Sequence, residues 1–250
     1  MIDVQTIKSL SGAKDDVAAL WQPYLNDMLP KRGINTKERL VAFLSQVGHE
    51  SGGLFYTEEI ASGAAYEGRK DLGNTQAGDG VRFKGRGVIQ TTGRANYEAY
   101  KKKHGIDVIS NPSLLGGKNA KVSTPEQLRN SLTSALDYWE SRKLNQYADK
   151  LDLQKPITDP ANLDTIKTIT KKINGGYNGL ADRIRKAENG RSFIKDVAFF
   201  FDKITKGGVT AVANYGEKHP LRLSFVGFFV GTMIAAVGTY LFINRKTIFK

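Results

Sequence analysis

The stretch Leu40-Val41-Ala42-Phe43-Leu44-Ser45-Gln46-Val47-Gly48-His49-Glu50-Ser51-Gly52-Gly53 decides how the chain reads. Leu40, Phe43, Leu44 and Val47 recur at steps of three and four, the period of a helix with one apolar face. A helix is expected over 37–50, ended by Gly52-Gly53. Continuing the stripe by three lands on Glu50. A carboxyl group on the inward face, at a helix C-terminus, meets two effects that favour its protonated form: partial burial and the unpaired carbonyls of the last turn. A carboxylic acid that keeps its proton near neutral pH suits a general acid. Glu58 and Glu59 lie just beyond glycines that let the chain turn back. Glycosidic hydrolysis uses two carboxyl groups, one to protonate the leaving oxygen and one to take a proton from water. Glu50 is therefore paired with Glu59 or with Glu58.

Outward from this stretch the pattern is mostly helical. Val17, Leu20, Trp21, Tyr24, Leu25, Met28 and Leu29 give an amphipathic helix over 15–29, stopped before Pro30. Residues 61–88 scatter seven glycines among polar side chains and read as long loops with a short hairpin. Val88-Ile89-Gln90 is a short strand or a helix start, and 94–104 is helical. Thr124-Pro125-Glu126-Gln127 has the form of a capping box with proline in the first turn. Asp159-Pro160 opens a further helix, closed by Gly175-Gly176. A last helix or helix pair covers about 180–204, interrupted at Asn189-Gly190. No series of β-branched runs alternates with these helices, so a parallel sheet is not expected.

The chain has 250 residues, no cysteine and a net charge of +12. Lack of cysteine excludes disulfides and thiolate metal sites. His49, His104 and His219 form no metal-binding spacing, so neither metal nor cofactor is expected. Met1-Ile2-Asp3-Val4-Gln5 does not read as a signal segment. Four of the cations and no acid fall in the last thirty residues, leaving +8 before them. Such an excess favours an anionic partner, with nucleic acid, membrane surface and bacterial cell wall all eligible. No nucleic-acid recognition motif accompanies it. Lys101-Lys102-Lys103 reads as a solvated helix face.

Leu223 to Ile243 is 21 residues without a charge. At about 1.5 Å per residue it matches a bilayer core of roughly 30 Å. The domains expected are a soluble unit over 1–220 and a transmembrane segment over about 223–243 with a short basic tail.

Three blocks carry a resemblance. Phe43 to Gly53 resembles the acid-bearing helix of the family 19 glycoside hydrolases, which comprise plant-type chitinases and many phage endolysins. Gly85-Arg86-Gly87-Val88-Ile89-Gln90-Thr91-Thr92-Gly93-Arg94-Ala95-Asn96-Tyr97 is similar to the substrate-cleft segment of that family. Ile173-Asn174-Gly175-Gly176 with Asp182-Arg183-Ile184 is similar to a third block. Together they cover about 35–200, and the closest resemblance is to the phage endolysin branch.

The resemblance implies a mainly α, two-lobed, lysozyme-like helical domain with loop-rich inserts, and an inverting mechanism. It implies that Glu50 is the general acid and Glu59 the general base, with Glu58 as rival. Gln90, Thr92, Asn96 and Asn174 match positions that bind sugar or hold the attacking water. Arg183 matches a buried arginine that contacts the catalytic carboxylates. His49 is taken as a supporting residue, while Tyr56, Tyr66 and Phe83 either line sugar subsites or pack. The expected substrate is peptidoglycan, with chitin second and a non-catalytic wall-binding protein as the competing class. The expected setting is phage lysis or entry, from the host inner membrane or a virion membrane, with phage membrane or lysis proteins as further partners.

Overall fold

The computed structural model describes residues 2–207, with side chains to Ile194. The chain divides into two units, Met1–Asp196 and Val197–Lys250. The first unit contains the helices α1 Val4–Ser11, α2 Asp15–Lys31, α3 Lys37–Glu50, α4 Asp79–Arg82, α5 Arg94–His104, α6 Pro125–Ser141, α7 Asn145–Ala148 and α8 Pro160–Asn174, with α9 beginning at Leu180 and running to Gly207. Four 3₁₀ turns fill the connections, and among the described residues the only β pairing is in isolated bridges. The mainly helical, lysozyme-like architecture expected from the sequence is present.

α3 is the axis of the unit. Every residue from Val41 to Gly48 is buried, so this helix is covered on all sides rather than along one stripe. α1, α7 and α8 pack on it. Phe43 meets Trp139 of α6 edge to face at 5.2 Å, and Trp21 of α2 donates its indole N–H to the Leu54 carbonyl at 2.8 Å. Thr36 caps the start of the helix by accepting from Arg39 N.

The expected capping box at Thr124 and Gln127 is formed in both directions, at 3.2 and 2.8 Å. Gly175 closes α8 in the left-handed conformation, with φ 77°.

A second, smaller core holds the loop-rich part. Phe83, Tyr97, Tyr100, Val108 and Leu115 are buried together, with Ile106, Ile109 and Leu114 against them. Asp79 and Arg94 form an ion pair beside it, and Arg94 stacks on the Phe83 ring at 4.7 Å.

The structure departs from the sequence reading at five places, one of them Val88-Ile89-Gln90, which forms a turn rather than a short strand or a helix start. α1 was not expected. α2 does not stop before Pro30; it contains both Pro23 and Pro30 and ends at Lys31. Proline removes one helical hydrogen bond, and the buried face from Val17 to Leu29 carries the helix past that loss. α4 occupies part of the expected loop. α9 runs unbroken through Asn189-Gly190. Gly190 is a contact rather than a break: a Cβ there would lie 2.9 Å from Leu10 Cγ, so its bare backbone lets α9 meet α1 closely.

The expected membrane segment, 223–243, lies outside the described residues. No helix among the described residues is long and apolar enough to cross a membrane. The described fold is that of a lysozyme-like helical domain. Against the expected placement in a host inner membrane or virion membrane, with the membrane as a partner, the described residues offer no spanning helix.

Asp137 of α6 ties the two cores together. Its carboxylate accepts from Arg32 at the end of α2, from Lys103 Nζ at 2.8 Å and from His104 Nε2, the last two on α5. Burial opposes its ionisation, but the hydrogen bonds from Lys103, His104 and Arg32 prevail and hold its carboxyl below the usual carboxylate range. A depressed folded value means the contribution to stability is complete above the unfolded Asp value of about 3.9 and is lost as pH falls through the folded one.

Two substitutions test this packing. Asp137→Asn should lower the urea midpoint at pH 7 and shrink the stability lost between pH 4 and more acid conditions; an unchanged acid limb would show that the tie is not formed. Gly48→Ala should destabilise the fold by about 1–3 kcal/mol, because a Cβ there would sit 2.6 Å from the Ser11 Cα, against backbone that cannot give way. An unaltered urea midpoint would contradict that close packing.

Candidate active site

A cleft of about 680 Å³ opens between the two cores. One wall is Glu50 at the end of α3, Ser134, Tyr138, Ser141 and Arg142 along α6, and Ile173 and Asn174 at the end of α8. The other is Ile89 to Thr92, Asn96, Tyr100 and Lys103, with Tyr66 and Leu72. The structure therefore brings Glu50, Gln90, Thr92, Asn96 and Asn174 into one concavity, from distant parts of the chain.

Glu50 is held from behind. Arg183 of α9 is fully buried; its Nη2 donates to Glu50 Oε1 and its Nη1 to Gln46 Oε1 at 2.6 Å. Gln46 in turn donates to Thr170 Oγ1 of α8 at 3.1 Å. The Glu50 side chain keeps 17% of its exposure, and Oε2 takes no hydrogen bond among the described residues. One oxygen is fixed and the other is free. Arg183 Nε is buried without a partner among the described residues.

His49, next in sequence, points elsewhere. Its Nδ1 meets Asp182 Oδ2 at 2.7 Å, and its ring packs on Gly179. Asp182 also accepts from Arg185 and Lys186. Burial opposes ionisation of Asp182, but these hydrogen bonds prevail and hold its carboxyl far below the usual range. His49 thus fastens the end of α3 to α9.

Glu58 and Glu59 are adjacent but differently surrounded. Their segment pairs with the loop from Gly85 to Thr92: Glu59 N donates to Gly85 O at 2.8 Å and Gly87 N to Thr57 O at 2.9 Å. Glu58 meets Lys84 Nζ at 2.9 Å and Arg86 Nε at 3.1 Å. Burial raises its carboxyl, but the hydrogen bond from Lys84 and the charge of Arg86 outweigh this, and the net direction is down. Both oxygens of Glu58 are engaged by cations.

Glu59 instead accepts from two neutral donors, the Tyr66 hydroxyl at 2.9 Å and Gly85 N at 3.1 Å. Burial raises the Tyr66 hydroxyl, and its hydrogen bond to Glu59 adds to the shift. Glu59 does not itself line the cleft; it stands against the wall that Tyr66 and Gln90 form.

The loop is built for position. Arg86 and Thr91 exchange backbone hydrogen bonds at 3.0 and 2.7 Å, closing a tight turn. Gln90 within it has φ 57°, a left-handed backbone that costs a non-glycine residue about 1–3 kcal/mol and is a mark of functional segments. Thr92 Oγ1 donates to Gln90 O at 2.9 Å and Asn96 Nδ2 to Thr92 O at 2.7 Å. These side chains are ordered by each other and leave acceptors for a ligand.

Tyr138 and Arg142 are cleft residues that sequence reasoning missed. They lie off the apolar stripe of α6, and only their pairing with α8 makes them a wall. Among the described residues there is no cluster of three or more His, Cys, Asp or Glu side chains that could hold a metal.

No protein-family model matches the chain. It is 27% identical over 192 residues to a glycosyl hydrolase family 19 domain-containing protein of Haemophilus influenzae, covering 64% of this chain and 82% of that protein. It is 34% identical over 145 residues to an endochitinase of Arabidopsis thaliana, of whose length it spans 42%. Among solved structures, chitinase C of Streptomyces griseus HUT6037 superposes with a TM-score of 0.53 at 22% identity, over 78% of this chain and 76% of that one. A bacterial family 19 chitinase gives 0.52 at 19% identity, over 77% and 94%.

These likenesses correct the expected peptidoglycan substrate, the endolysin branch, the phage lysis or entry setting and the phage partners, because those of them named for an activity are chitinases. The charge that suggested an anionic wall is partly consumed internally: Lys84 and Arg86 on Glu58, Arg94 on Asp79, Lys103 on Asp137, Arg183 on Glu50. A half-buried acid at the end of a central helix, an amide-lined cleft beside it and the proteins it resembles point one way: the chain is similar to the chitinase-like glycoside hydrolases of family 19.

Proposed function

We propose that the protein hydrolyses the β-1,4 bonds of chitin, with Glu50 as general acid and Glu59 as general base. The observation that carries this reading is the meeting of Glu50 with Gln90, Asn96 and Asn174 in one cleft. Amide side chains both donate and accept, which suits the hydroxyl and acetamido groups of N-acetylglucosamine. The chitinase names of the similar proteins support the substrate.

In this mechanism a sugar chain lies along the cleft with a glycosidic oxygen at Glu50. Arg183 grips Oε1, so Oε2, the oxygen without a protein partner among the described residues, is the atom from which the proposed proton transfer proceeds. Glu50 gives that proton to the leaving oxygen as the bond to the anomeric carbon breaks. Glu59 takes a proton from water that attacks the same carbon. A carboxylate offers about four lone-pair sites, and Tyr66 and Gly85 occupy two, so capacity remains for the water. Glu58, bound by two cations, is the poorer base and is assigned to holding the loop. Thr92 and Gln90 are assigned to orienting the water and the acetamido group, and His49 to keeping α3 in register with α9.

Incubation with chitin hexasaccharide should yield shorter oligomers with one new reducing end per cleavage; no cleavage would overturn the assignment. Glu50→Gln and Glu59→Gln should each lower kcat by about 10²–10⁴-fold, the range of a lost acid or base. Glu58→Gln should keep kcat within about tenfold of the parent while lowering Tm, since Lys84 and Arg86 lose their counter-charge. The reverse ranking of Glu58 and Glu59 would transfer the base role to Glu58.

A further inference from the structure

Two cations line the cleft, and they differ in what they already hold. Lys103 lies 2.8 Å from Asp137 Oδ1 and 3.7 Å from Glu140. Arg142 has no carboxylate partner among the described residues. Its Nη1 makes a long bond, 3.3 Å, to Ser141 Oγ. Glu50, the acid nearest in function, is taken by Arg183.

Arg142 is nevertheless not loose. Its Cζ lies 3.3 Å from the centre of the Tyr138 ring, so the guanidinium rests against the aromatic face. The ring is itself anchored. The Tyr138 hydroxyl donates to Ile173 O at 2.9 Å, in the last turn of α8 and one residue before Asn174. Burial raises the Tyr138 hydroxyl; the charge of Arg142 opposes this and that of Glu50 adds to it. Tyr138 therefore stands within electrostatic reach of both the acid and the arginine.

The ordinary account of such a stack is a solvated surface pair worth under about 1 kcal/mol. It does not explain why the arginine forms part of the cleft wall with Ser141 and Asn174. A guanidinium fixed in one plane has already lost much of its rotamer freedom, so little more is lost when its donors are used. Its fork of N–H groups has no acceptor role and fits carbonyl and hydroxyl oxygens. We propose that Arg142 is a sugar-binding residue of the cleft, donating hydrogen bonds to an N-acetylglucosamine unit of the chain held beside Glu50. This rests on the chitin reading above. It assigns Arg142 to substrate binding rather than to proton transfer, and Tyr138 to positioning it.

The test is steady-state hydrolysis of chitin hexasaccharide by the full chain, its Arg142→Ala variant and its Arg142→Lys variant, with melting curves for each. Arg142→Ala should raise KM about tenfold or more, as expected for a lost hydrogen bond from a charged donor. It should leave kcat within about threefold and Tm nearly unmoved, because the residue is exposed. Arg142→Lys should recover only part of the KM, since an ammonium keeps the charge without the planar stack or the fork. A KM within twofold of the parent in Arg142→Ala would overturn the proposal. So would full recovery in Arg142→Lys, or a fall in Tm with kcat and KM falling together. A parent enzyme that turns over the hexasaccharide while Arg142→Ala keeps its KM removes the arginine's role alone; a parent that leaves it intact removes the substrate assignment and this proposal with it.

Discussion

One fully buried guanidinium sets the geometry of the site. Removing a charge from water costs several kcal/mol unless it is paired and hydrogen-bonded. Arg183 is placed on α9 where Glu50 and Gln46, one turn apart on α3, can both accept from it. Gln46 passes the connection to Thr170 on α8. Three helices are thereby locked at the ends that form the cleft. Glu50 closes α3 and Asn174 closes α8, so the same lock positions both side chains at the cleft.

The loop-rich part solves a different problem, that of giving two neighbouring carboxylates different tasks. Glu58 and Glu59 have the same chemistry and adjacent backbone. Because successive side chains in an extended segment point to opposite sides, one meets Lys84 and Arg86 and the other meets Tyr66 and Gly85 N. Cations fix the first as structure. Neutral donors hold the second in place without taking all its capacity. The backbone pairing of this segment with Gly85–Thr92 links Glu59 to Gln90 and Thr92 on the cleft wall.

Much of this was legible in the sequence where a local pattern and the tertiary result coincide. The stripe ending at Glu50 placed that residue, and the Thr124 capping box placed the start of α6. Elsewhere the deciding fact was tertiary. Pro30 marks a helix end by local rules, yet α2 continues to Lys31 because its buried face outweighs one lost bond. Gly190 resembles a break and is instead the contact of α9 with Leu10. Tyr138 and Arg142 carry no local signature, because they become a cleft wall only when α8 docks beside α6. The different surroundings of Glu58 and Glu59 were not legible either, because which side faces the cations is set by the pairing with the Gly85–Thr92 loop. Net charge misdirected the substrate, since it does not distinguish cations already paired with acids from those available to a partner.

The proposed mechanism turns on one carboxyl group that gives a proton and one carboxylate that activates water on the opposite face of the same anomeric carbon, with no covalent bond to the protein. The most direct measurement is proton NMR of the anomeric region in the first minutes of chitin oligosaccharide cleavage, before mutarotation. Attack by water predicts the α-anomer at the new reducing end. Initial release of the β-anomer would mean a double displacement, through a carboxylate or through the substrate's own acetamido group, and would contradict the division of labour assigned to Glu50 and Glu59.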